Sequence, residues 1–143
     1  MVKLIMLLNM AIFMMSCSKN DPKLLLGQYS GSYYYRGLNM SSPEKSVHVV
    51  NLKLNPGNSY ESSGFPDRKP AGGSGEYKIA DNRTVEFSDK NFWTAEFDWK
   101  LILNGRFTYE IKADSLILTR YQEPCVNCNT YPQLYQYRLK RVD

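Results

Sequence analysis

Histidine, cysteine and tryptophan are scarce in this chain of 143 residues, which holds one, three and two of them. Any Ser-His-Asp arrangement would have to use His48, and no Gly-x-Ser-x-Gly nucleophile elbow accompanies it. On a β alternation His48 shares a face with Val50 and Leu52, which suits a hydrogen-bonded core or rim residue better than a general base. Zinc would need two soft ligands beyond the pair Cys125 and Cys128, and His48 alone cannot supply them. The chain also lacks a Gly-rich phosphate loop and an RNA-binding aromatic signature, and a net charge of +4 is too small to attract nucleic acid. No run of ten residues carries a 3.6-residue period, so a helical core is excluded. No cofactor and no enzymatic activity are expected.

What is present is unevenly placed. Five of the six methionines lie before residue 16, whereas all eleven tyrosines lie after residue 28. Lys3 followed by the apolar run Leu4 to Met15 has the layout of a signal peptide. At about 12 residues, or roughly 18 Å as a helix, the run is too short for a hydrocarbon core of about 30 Å. With Met14-Met15-Ser16-Cys17 at its end, the segment resembles a bacterial lipoprotein leader, although Met stands where such leaders usually carry Leu and a small residue. That resemblance implies removal of residues 1–16 and diacylglyceryl and palmitate-type acyl chains on Cys17. Several chains at about 0.8 kcal/mol per buried CH₂ make a firm membrane anchor. Ser18-Lys19-Asn20-Asp21 is similar to the start of lipoproteins from the Bacteroides group, which places the protein on the outer membrane, facing the periplasm or the cell surface.

Residues 17–25 then read as a lipidated tether and 26–143 as one folded domain. Tyr29-Gly31-Tyr33-Tyr35 alternates with Gln28-Ser30-Ser32-Tyr34, and His48-Val50-Leu52-Leu54 with Val47-Val49-Asn51-Lys53. Shorter strands are predicted at Tyr60 to Ser63, Gly75 to Ile79 and Thr84 to Ser88. Asn104-Gly105, between Trp99-Leu101-Leu103 and Phe107-Tyr109-Ile111, predicts a two-residue hairpin with φ > 0 at both positions. Ala113-Asp114 turns that chain into Leu116-Leu118-Arg120, and Tyr135-Tyr137-Leu139 forms the last strand. Eight or nine short antiparallel strands must bury one face and protect their edges. An up-and-down β-barrel does both, and a two-sheet β-sandwich is the alternative.

Leu26-Gly27-Gln28-Tyr29 is similar to the Gly-x-Trp motif that opens lipocalins, with Tyr29 in the aromatic place. Phe92-Trp93-Thr94-Ala95-Glu96-Phe97-Asp98-Trp99, Ile102-Leu103-Asn104-Gly105 and Tyr135-Gln136-Tyr137-Arg138-Leu139 resemble the small lipocalin-like lipoproteins of the Bacteroidetes. The resemblance spans residues 24–141 and implies an eight-stranded barrel open at one end, with an Arg of the last strand beneath Tyr29. Arg138 and Arg141 both stand within reach. A barrel of this size is either filled by its side chains or holds one small ligand. In the second case Tyr29, Tyr33, Tyr35, Tyr109, Tyr135 and Tyr137 would line a pocket for a small apolar molecule.

Other motifs carry less. In an oxidising compartment Cys125-Val126-Asn127-Cys128, set among Pro124, Asn129 and Pro132, favours a local disulfide over a redox pair, which needs a helix N-terminus. Glu96 and Asp98 share a face of any strand there and are expected to face water, with Phe97 and Trp99 inward. The predicted protein is therefore a lipid-anchored, monomeric envelope lipoprotein that binds an apolar ligand in its barrel. In the alternative, the barrel is filled and meets an envelope protein or other envelope component through an aromatic patch of Phe65, Phe92 and Trp93.

Overall fold

The computed structural model describes residues 25–38, 45–64, 72–124 and 131–143. Its strands are β1 (Gly27–Gly37), β2 (Lys45–Leu54), β3 (Ser59–Gly64), β4 (Gly73–Asp81), β5 (Thr84–Asp89), β6 (Gly105–Lys112), β7 (Ser115–Gln122) and β8 (Gln133–Arg141). Each pairs antiparallel with the next, and β8 returns to β1 to close the barrel. The up-and-down barrel expected from sequence is the architecture: among the described residues the eight strands form one closed sheet. Closure leaves no unpaired sheet edge.

The two-residue alternation decides which side chains fill it. Tyr29, Tyr33, Val50, Leu52, Leu54, Phe107, Leu116, Leu118, Tyr135, Tyr137 and Leu139 all point inward and are buried, as their patterns predict. The wall that the pattern marked faintly, β3 to β5, contributes Tyr60, Tyr77, Val85 and Phe87 to the same core. Edge-on contacts join the rings across the barrel, with Phe87 5.0 Å from Tyr60 and 5.9 Å from Phe107, and Phe107 5.8 Å from Tyr137. Two glycines stand where the backbone of the neighbouring strand passes close by, Gly31 beside β8 and Gly75 beside β5. A Cβ at Gly31 would stand 2.0 Å from the Arg138 carbonyl oxygen, and one at Gly75 would stand 2.1 Å from that of Ser88.

Asn104-Gly105 does not make the predicted hairpin. Trp99–Leu101 is a 3₁₀ turn capped by Asp98, whose carboxylate accepts from Lys100 N–H at 3.0 Å. Gly105 (φ +90°) opens β6, and β6 pairs with β5 instead, Phe107 opposite Val85. The positive φ anticipated from Asn-Gly is present at Gly105 alone. Asn104 is held otherwise, its Oδ1 accepting from Asp89 N–H and its carbonyl from Arg120 Nη1. The expected inward pair is corrected with it. Trp99 is 59% exposed and Phe97 half-buried, while Leu103 turns fully inward. Ile102 bridges Gly72, and Leu103 N–H donates to Gly72 O at 2.8 Å, so residues 98–104 lie across one mouth of the barrel.

Candidate functional site

The six tyrosines expected around a pocket divide by depth. Tyr33 and Tyr137 meet at the centre with ring centroids 4.7 Å apart, and the Tyr33 hydroxyl donates to Lys100 O at 2.9 Å. Tyr60, which the sequence did not single out, donates to Leu103 O at 2.6 Å. These two bonds fasten the plug to the core. Tyr135 lies between Tyr35, 5.2 Å away, and the Arg120 guanidinium, 4.3 Å from its ring, and its hydroxyl bonds the Gln122 and Gln133 side chains. Tyr35 is half-buried at the rim, with Lys100 Nζ 3.3 Å from its hydroxyl, and half-buried Tyr109 packs against the core from β6. Burial drives the hydroxyl pKa values of Tyr33, Tyr60 and Tyr137 well above the ordinary value of about 10. The rings are thus packed on one another, and the 98–104 segment covers the mouth.

At the opposite end Arg141, not Arg138, takes the place beneath Tyr29. Its guanidinium carbon lies 5.4 Å from the Tyr29 ring, and Nη2 reaches the Tyr29 hydroxyl at 3.1 Å and also Leu26 O. Tyr29 in turn donates to Leu25 O at 3.1 Å, so buried Leu25 closes this end. Arg138 points outward, over the Tyr34 ring at 4.7 Å.

Several expectations concern other places. His48 is half-buried and stacks on Tyr33 at 6.2 Å. Among the described residues no three metal-ligating side chains converge. Glu96 and Asp98 are exposed, on a loop rather than a strand. Cys17, Cys125, Cys128 and Phe65 lie outside the described residues. Of the proposed aromatic patch, Phe92 projects fully into solvent and Trp93 is half-buried.

Trp93 borders a groove of about 590 Å³ on the outer wall of β1 to β4. Its position is set by a compact network. The indole N–H donates to Asp89 Oδ2, and the ring packs on Phe97 at 4.7 Å. Asp89 Oδ1 accepts from Ser74 N–H at 3.0 Å and from Asn91 Nδ2 at 2.9 Å, and the Ser74 hydroxyl bonds Asn91 Oδ1 at 3.1 Å. From the strands come Gln28, Asn51, Ser63 and the register partners Lys53 and Glu61. Sequence reasoning found Trp93 but not these partners, because the groove is assembled from four strands whose outward residues are individually ordinary.

A second groove, of about 1000 Å³, crosses the outer faces of β6 to β8. There the polar groups satisfy one another. Arg138 Nε donates to Gln136 Oε1, Gln136 Nε2 to Thr119 Oγ1, and Thr108 Oγ1 to Thr119 O. No protein-family model matches the chain, and no curated protein matches it in sequence.

Proposed function

We propose that the protein is an envelope lipoprotein, anchored to the outer membrane by acyl chains on Cys17, whose filled lipocalin-like barrel is a non-enzymatic binding module. The observation that carries this reading is the use made of the interior tyrosines. Tyr33 and Tyr60 spend their hydroxyls on the backbone of the segment across the mouth, and Tyr137 lies against Tyr33 and Phe107. Carriage of an apolar ligand would require those rings and that segment to move together. The contact between Arg141 and Tyr29 supports the lipocalin resemblance, since it is the pairing that resemblance implies. Binding is therefore assigned to the outer surface, where Phe92 is presented and the Trp93 groove is open.

The test is site-specific photocrosslinking in intact cells. A crosslinker at Phe92 is expected to join an envelope component, whereas one at Arg106, an exposed residue of β6, is not. Equal labelling from both positions contradicts the assignment of that face. In the same preparation, intact mass should show acylation of Cys17. A mature chain with an unmodified Cys17 overturns the anchor.

A further inference from the structure

Resting on the assignment of binding to the outer face, we infer that the groove beneath Trp93 is a binding site for a neutral saccharide. Three properties of the groove lead there. First, its charges cancel: one cation, Lys53, stands in register with one anion, Glu61, so neither an anionic nor a cationic ligand is selected. Second, its polar groups are of the type that both donate and accept. Gln28, Asn51 and Asn91 carry amides, and Ser63 and Ser74 carry hydroxyls, matching sugar hydroxyls, which also do both.

Third, the groups that the strands contribute are available, while Asn91 and Ser74 are tied into the network that holds the aromatic ring still. Among the described residues the side chains of Gln28, Asn51, Lys53 and Ser63 make no hydrogen bond to protein, in contrast to the self-paired groups of the β6 to β8 groove. Trp93 is fixed through its N–H by Asp89 and backed by Phe97. A pyranose presents an apolar face of C–H groups with hydroxyls at its edge, and an immobilised indole beside open amides is complementary to both. The volume of about 590 Å³ falls within the range of about 300–1,000 Å³ for small-molecule sites.

Free oligosaccharide and polymeric cell-wall glycan share this chemistry, and the experiment separates them. In one arm the full-length protein in detergent is titrated by calorimetry with maltotriose, mannotriose and chitotriose. In the other it is co-sedimented with purified peptidoglycan sacculi. Saturable binding in either arm, weakened about tenfold or more by Trp93→Ala and by Asn51→Ala, supports the site and assigns the source. Asn51→Ala lies on the exposed strand face, so it keeps the test valid if Trp93→Ala disturbs the neighbouring loop. Absence of binding in both arms overturns the saccharide proposal, as does binding that neither substitution weakens. If crosslinking from Phe92 still labels an envelope component, the outer-face reading survives that failure; if it does not, both fall together.

Discussion

The inside and the outside of the β1 to β4 wall are built from the same strands with opposite logic. Inside, Tyr33 and Tyr60 have few degrees of freedom left, since each ring is wedged against another ring and each hydroxyl is committed to the plug. Outside, Asn51, Lys53 and Ser63 line an open groove beside a single fixed indole. Aromatic residues therefore do different work on the two sides. Clustered and hydrogen-bonded to backbone they form a core, whereas one ring held at the edge of exposed amides borders an open groove, the surface to which we assign binding. The number of tyrosines in a β-barrel is accordingly a poor guide to whether it carries a ligand.

The contrast is tested most strongly by truncation on each side. Tyr137→Ala removes a ring that touches Tyr33 and Phe107 and should destabilise by about 3–5 kcal/mol in urea unfolding. Asn51→Ala, on the exposed face, should change stability by no more than about 0.5 kcal/mol. Comparable losses would erase the distinction between core and recognition surface.

Alkaline pH probes the interior alone. Burial raises the pKa values of Tyr33, Tyr60 and Tyr137, so the folded state keeps protons that the unfolded state releases above about pH 10. The stability this supplies is fully present below about pH 10 and falls as pH rises beyond it. Tyrosinate absorbance should accordingly show an exposed group of tyrosines titrating first, then a cooperative rise coincident with loss of β-sheet circular dichroism. A single smooth titration without unfolding would mean that the interior rings are wet.

A smaller effect distinguishes two tyrosines within the core. Tyr60→Phe breaks the bond to Leu103 O and should cost about 1 kcal/mol. Among the described residues the Tyr77 hydroxyl is buried without a partner, so Tyr77→Phe should be neutral or stabilising by up to about 1 kcal/mol. Thermal melts of the two variants should shift in different directions or by clearly different amounts.

The barrel was legible where strands are long and their inward residues large. β1, β2, β7 and β8 each carry a clear alternation, and Tyr135, Tyr137 and Leu139 face inward as it requires. The same parity contained the choice between the two arginines, since Arg141 continues the inward series and Arg138 does not. Tyr60, Tyr77 and Phe87 were harder to assign because β3 and β5 have six residues each, and β3 and β4 are rich in Gly and Ser, which leaves few apolar marks to count. Asn104-Gly105 misled because local turn chemistry was outweighed by long-range contacts: Leu103 anchors on Gly72, and Asn104 binds Asp89 and Arg120. The groove had no local signature at all, since it exists only once β1 to β4 lie side by side and the loop after β5 folds over them.

The central claim is that the barrel interior is core and not a pocket. It is tested most directly by fluorescence titration of the protein with the apolar probe N-phenyl-1-naphthylamine and with cis-parinaric acid. The packed rings at Tyr33, Tyr137 and Phe107 predict no saturable one-to-one binding of either probe. Stoichiometric binding that is abolished by enlarging an interior residue, as in Leu118→Trp, would contradict the account and return the tyrosines to the lining of a ligand pocket.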